Sequence, residues 1–377
     1  MIGSRREMLS SFLMALFAGP AALRRRAATA DTAPAAATDK TYETAVNKAI
    51  EFLRASQGAD GSFSAEAGPA VTAIVVTGIL KAGRSADDPL VAKSLKYVAG
   101  FVHPDGGIYA EGSTHQNYET CIAIQCFGQA NRDGRYDKLL ADAEKFVRNL
   151  QWDNSEGHDQ ASVNYGGAGY GRSKRPDLSN TSFLLDALKS AGAGADDEAV
   201  QKALVFVSRC QNLESEYNTT PFAAKINDGG FYYTPAAGGS SQAGAEENGG
   251  LRSYGSMTYA GLKSMIYAGL KADDPRVKAA LGWLAKHYTL DENPGMGNAG
   301  LYYYYQSFAK ALAAVGAPSF SDAAGASHDW RADLITALAS RQKPDGSWVN
   351  DNARWMEGNP NLVTGYALIA LAQCRGK

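Results

Sequence analysis

The stretch Arg331–Gln373, RADLITALASRQKPDGSWVNDNARWMEGNPNLVTGYALIALAQ, decides the fold. It has three parts. Leu334, Ile335, Leu338 and Ala339 fall at the spacing of an amphipathic helix. Pro344-Asp345-Gly346 then breaks that helix, since proline lacks an amide donor and glycine accepts positive φ. Trp348 follows the glycine by two. After a polar loop, Leu362 to Leu371 is too apolar for a surface helix and is expected to be buried on most sides.

The same unit recurs along the chain. Counting back from the glycine that closes each apolar helix puts Thr72, Thr120, Thr181, Thr258 and Thr364 in one register, with Tyr305 in the fifth unit. The amphipathic helices begin near Thr44, Pro89, Asp137, Glu198, Pro275 and His328. Asp88 before Pro89 and Asp274 before Pro275 read as helix caps. Between the helices lie glycine loops: Gln57 to Phe63, Pro104 to Tyr109, Asn164 to Gly167, Asn227 to Phe231 and Gln342 to Trp348. The fifth loop, Asn293 to Gly297, has lost the aromatic. The glycine permits a tight turn, and the aromatic covers the end of the first helix. Gln57 and Gln342 are expected to bond the free carbonyls of that helix end. These loops therefore read as structural. Six such pairs make an all-α fold, an α/α toroid (an α6/α6 barrel) of two concentric rings with the apolar helices inside. The inner helix starts would surround a central cavity.

Gln342-x-x-x-Gly346-x-Trp348, and Gln57-x-x-x-Gly61-x-Phe63 with a conservative aromatic change, resemble the repeat motif of squalene and oxidosqualene cyclases. The units also resemble the repeats of protein prenyltransferase β subunits. The likeness covers residues 41–377 as a single domain. It implies a terpenoid cyclase and prenyltransferase superfamily toroid, with a cavity that holds an isoprenoid in the two best-known branches. The chain departs from both at the chemistry. It has no Asp-x-Asp-Asp, the acid motif of the cyclases. It has no Asp-x-Cys, part of the prenyltransferase zinc site. The Gly-Cys-Gly-Glu-Gln of complement-type thioester toroids is also absent. No catalytic residue, metal or cofactor carries over.

Residues 1–30 read as an export signal. Arg5-Arg6 precedes the apolar run Leu9 to Ala22, which is shorter than the roughly 18–20 residues that span a bilayer. Ala28-Thr29-Ala30 fits a cleavage site, and the whole resembles a twin-arginine signal. An uncleaved anchor is the alternative. Residues 31–40 read as a linker. Cleavage near Ala30 would leave a periplasmic or extracellular protein. The chain carries a net charge of −2, and without five arginines and one glutamate of the signal it carries −6. That balance argues against nucleic acid as a partner. Cys121, Cys126, Cys210 and Cys374 sit in apolar helical patterns and are expected to be buried thiols rather than disulfides. Contact with a membrane and the oligomeric state stay open.

Functional candidates come from the inner helix starts, where the units differ. Asp177 reads as a general acid with a carboxyl pKa raised in an apolar cavity, or as a helix cap. His115 and Glu119, four apart, could move a proton or bind a metal, but two ligands are too few for a metal site. His115, Tyr118, Asn180, Arg252, Tyr254 and Tyr303 are the expected ligand contacts. Of Tyr302 to Tyr305, one or two are expected to reach the cavity. Three functions remain: an isoprenoid enzyme of the transferase or isomerase class, a non-catalytic binding toroid, and an exported polysaccharide-degrading enzyme using Arg172, Arg175, Arg252 and Tyr254.

Overall fold

The computed structural model describes residues 32–172 and 175–375. Residues 1–30, read as an export signal, lie outside them. Six amphipathic helices form the outer ring: α1 (Thr32–Ser56), α3 (Pro89–Ala99), α5 (Asp137–Arg148), α7 (Glu198–Arg209), α10 (Pro275–Lys286) and α12 (Trp330–Arg341). Six more form the inner ring: α2 (Pro69–Lys81), α4 (Gln116–Ala130), α6 (Leu178–Ser190), α9 (Gly255–Tyr267), α11 (Leu301–Val315) and α13 (Pro360–Cys374). A single turn, α8 (Ala223–Ile226), sits in the long loop before α9. The backbone of α1 already starts at Thr32, so the segment read as a linker is its first turns.

The ring closes. Each inner helix packs on the next, and α13 returns to α2 while α12 meets α1. The burial follows the sequence pattern. Along α2, every residue from Pro69 to Leu80 is buried. On α5 only Ala143, Phe146 and Val147 are, because one apolar stripe suffices for a helix that faces water. Asp88, Asp197 and Asp274 each accept a backbone amide of the first turn they precede, as expected of caps. All four cysteines are buried free thiols. Among the described residues no helix is long and apolar enough to cross a membrane.

The glycine loops join one unit to the next. A methyl on Gly61 would lie 2.5 Å from the Lys93 carbonyl oxygen of α3, and one on Gly229 would lie 2.6 Å from that of Ala279 on α10. Gly166 and Gly346 press in the same way on Lys202 of α7 and Lys48 of α1. Only glycine admits this approach, and φ is about +90° at Gly61 and Gly346. The glutamine amides differ from expectation. Gln57 donates to the Leu90 carbonyl at 2.8 Å, and Gln342 to those of Ala45 and Gly346, each at 2.9 Å. They thus reach the outer helix of the neighbouring unit, not the end of their own. Gln151 and Gln211 do the same to Ala199 and Arg276.

The threonine register has a physical cause. Each threonine hydroxyl accepts the amide of the loop residue two after the glycine: Thr72 from Phe63, Thr120 from Ile108, Thr181 from Ala168, Thr258 from Phe231 and Thr364 from Trp348. The distances run from 2.9 to 3.2 Å. Trp348 is fully buried, and its indole donates at 2.8 Å to the Leu338 carbonyl near the end of α12. The aromatic does cover the helix end.

Candidate functional site

The first turns of the inner helices present their threonines outward to the loops and other side chains inward. The inward faces enclose a cavity of about 240 Å³. Tyr118 of α4, Phe183 of α6, Met257 of α9, Tyr303 of α11 and Tyr366 of α13 form its wall. Tyr254, just before α9, lines it as well, and Tyr170 and Tyr233 reach in from the long loops. The wall is aromatic and locked. Tyr118 meets Phe183 edge-on at 5.2 Å between centroids, and the Tyr303 and Ser179 hydroxyls bond at 2.9 Å. Burial raises the phenol pKa values of Tyr118, to about 12, and of Tyr254, Tyr303 and Tyr366, so all four stay neutral.

Trp355 and Met356 stand at the mouth, each nearly half exposed, with φ of 56° and 64°. Positive φ is costly for such side chains. The Arg354 guanidinium stacks on the Trp355 ring at 4.2 Å and donates to Gln242 at 2.6 Å, tying this turn to the loop on the opposite rim.

Two buried carboxyls flank the cavity. Glu357 lines it, but its oxygens accept the Tyr302 and Tyr303 amides at the start of α11 and the Asn350 amide. Asp177 sits one layer back. Its Oδ1 accepts the Asn180 amide at 2.9 Å and caps α6, while Oδ2 accepts the Asn180 side chain at 2.8 Å. The Tyr233 phenol, which lines the cavity, lies near this carboxyl and lowers its pKa. Burial raises the Asp177 pKa to about 6 against the downward pull of these bonds and of Arg175. Asp177 is thus a helix cap, and its carboxyl holds its proton more tightly than a free one.

No family model matches the sequence, and neither does any curated protein. Solved structures do. A variant of the type II terpene cyclase MstE from Scytonema, without ligand, superposes with a TM-score of 0.56 at 14% identity, covering 90% of this chain and 98% of that one. Another MstE variant, in complex with geranylgeranyl dihydroxybenzoate as substrate, gives 0.51 at 14% identity over 90% and 99%. A protein from Actinoplanes gives 0.52 at 16% identity over 88% and 99%. The chain has the terpenoid cyclase fold.

Within that terpenoid cyclase-like toroid, the expected site residues divide. Tyr118, Tyr254 and Tyr303 line the cavity, and His115 stands at its rim against Tyr170. Of the tyrosine run, Tyr303 alone is among the wall residues, whereas Tyr304 and Tyr305 donate to the Thr289 and Leu290 carbonyls between the rings. Asn180 does not reach the cavity; it serves Asp177. Glu119 turns away too. Its carboxylate accepts Ala110 N at 2.7 Å and Ser113 Oγ at 2.6 Å, so it braces the preceding loop. His115 and Glu119 therefore make no shared site. Arg252 is exposed and paired with Glu246 at 2.8 Å, because its loop folds back on itself outside the cavity. Among the described residues no three His, Cys, Asp or Glu side chains are grouped to hold a metal. Tyr170, Phe183, Tyr233, Trp355 and Tyr366 were not anticipated. Tyr366 was visible as the one phenol in an apolar helix, but the loop residues carried no periodic signal.

Proposed function

We propose that this toroid binds a compact apolar ligand of the isoprenoid type in its aromatic cavity. The enclosed wall of tyrosines, Phe183 and Met257 carries this reading. Its volume is below the roughly 300–1,000 Å³ of sites for drug-sized ligands, which favours a short isoprenoid. The MstE complex with geranylgeranyl dihydroxybenzoate supports the class of ligand by its fold alone. Titration of the purified protein with farnesol, followed by intrinsic tryptophan fluorescence and native mass spectrometry, tests it. Saturable one-to-one binding is expected. Absence of binding, or preference for an acidic oligosaccharide, would sink the proposal.

A second reading rests on the buried Asp177 carboxyl near the Tyr233 phenol. Asp177 is a buried carboxyl that holds its proton tightly near the Tyr233 phenol of the cavity wall, so acid-initiated chemistry would start there. Incubation with geraniol and farnesol near pH 5, with analysis for cyclised products, tests this. Product that is lost in Asp177→Asn supports catalysis. Binding without product leaves the protein a binding toroid. We propose further that residues 1–30 direct export. N-terminal sequencing of protein from its own host should begin near Asp31, and an intact Met1 on the exported form would refute cleavage.

A further inference from the structure

Two turns below the aromatic wall, the inner ring holds charge where an apolar core was expected. Asp186 of α6 accepts Lys263 of α9 at 2.7 Å and Lys310 of α11 at 3.0 Å. Lys310 also donates to Gln125 of α4 at 3.3 Å. The side chains of Lys263, Asp186 and Lys310 are only 5%, 6% and 11% exposed. Two ammonium groups against one carboxylate leave an excess positive charge in a low-dielectric layer, a costly arrangement unless something answers it.

The cluster borders a void of about 10 Å³. That is close to the ~10–15 Å³ needed for one water-sized occupant. Three further polar side chains line it: Ser182, Gln306 and Ser307. They are 3%, 3% and 6% exposed, and among the described residues their side chains make no hydrogen bond to the protein. Buried hydroxyls and amides of this kind normally have a partner. The void therefore offers two cations and unpaired donors, converging from three helices, and room for one atom.

From this geometry we infer a binding site for a small monovalent anion, of the size of chloride, between Lys263 and Lys310. The anion would neutralise the layer and take the free donors of Ser182, Ser307 and Gln306. Burial, with repulsion from Lys310 as a smaller cause, pulls the Lys263 pKa down to about 8 despite its bond to Asp186. That is the strain a bound anion relieves. Phe183 and Tyr303 line both this void and the aromatic cavity, whereas Asp186, Lys263 and Lys310 line only the void.

The test is thermal unfolding of the full chain in sodium gluconate, with chloride or bromide replacing gluconate at constant ionic strength. Tm is expected to rise saturably with halide, as linkage requires of a ligand that binds the folded state. Lys263→Met leaves Asp186 paired with Lys310 and the layer neutral, so the halide response should vanish. Should that variant fail to fold, Lys310→Met gives the same test. A bromide-soaked crystal should show one anomalous peak between the two ammonium groups. Equal Tm in chloride and gluconate would overturn the inference. So would a halide response that survives either substitution, or acetate acting as well as chloride, since acetate exceeds the void.

Discussion

The first turn of each inner helix has two faces, and they obey different rules. Outward, the same atoms do the same work in five units: a threonine hydroxyl accepts a loop amide while a glycine lies against the next outer helix. Inward, the units do not repeat: α4, α11 and α13 offer tyrosines, α6 Ser179 and Phe183, α9 Ser256 and Met257, and α2 nothing to this cavity. The outward face sets how one unit joins the next, and that problem recurs around the ring. The inward faces line one shared cavity, so repetition is no constraint on them. Stability should therefore reside in the repeated face and selectivity in the varied one.

The largest expected effect tests the repeated face. Trp348→Ala removes a fully buried indole and its bond to Leu338, and should cost ~3–5 kcal/mol by cavity formation. Chemical denaturation gives the value. A loss below about 1 kcal/mol would mean that the loop is no structural joint.

Next comes Asp177, on the cavity side. Its folded pKa, about 6, lies above its ordinary value of 3.8, so the folded chain binds this proton more tightly than the unfolded one. Its contribution to stability is full below pH 3.8 and is lost as pH rises through about 6. Asp177→Asn stays neutral and still offers an oxygen to cap α6, and the unpartnered Asn180 Oδ1 can turn to accept its amide. Relative to wild type, the variant should gain on the order of 2 kcal/mol between pH 4 and 7. Unfolding curves across that range check it, and parallel profiles would show that the carboxyl titrates normally.

A smaller effect returns to the outward face. Thr364→Val preserves shape but leaves the buried Trp348 amide without its acceptor. The expected loss is about 1–2 kcal/mol. Thr72→Val and Thr258→Val should cost similar amounts, because the bond is the same. A wide spread among the three would break the equivalence of the units.

What was legible in the sequence follows the same division. The toroid could be read because Gly61, Gly346, Phe63 and Trp348 repeat a pattern set by helix-end geometry. Even there, Gln151 and Gln211 escaped notice, since their loops place them 15 and 18 residues before the glycine carbonyls they bond. The cavity was only partly legible. Tyr118, Tyr254 and Tyr303 could be placed by register, whereas Tyr170 and Tyr233 lie in loops whose path no periodicity dictates. Arg252 and Glu119 turn away from the cavity for a related reason: a polar residue near a helix start has local partners within reach, here Glu246 and Ser113. Asp186, Lys263 and Lys310 were hidden for the opposite reason, each standing alone in an apolar helix with its partners 77 and 124 residues away.

The smallest effect on stability, and the sharpest on selectivity, is expected at Trp355. It is 44% exposed and its backbone is strained, so truncation should change stability by less than about 0.5 kcal/mol. Yet its ring covers Gly300 at the cavity mouth and carries the Arg354 side chain that reaches Gln242. Trp355→Ala would remove that cover and loosen the tie between the rims. Ligand should then enter and leave faster, with the larger change in the dissociation rate because bound apolar surface is newly exposed to water. Stopped-flow fluorescence with an extrinsic apolar dye reads both rates. A variant with unchanged rates would place the entrance elsewhere. A variant that unfolds would show that the mouth, too, belongs to the structural face of the ring.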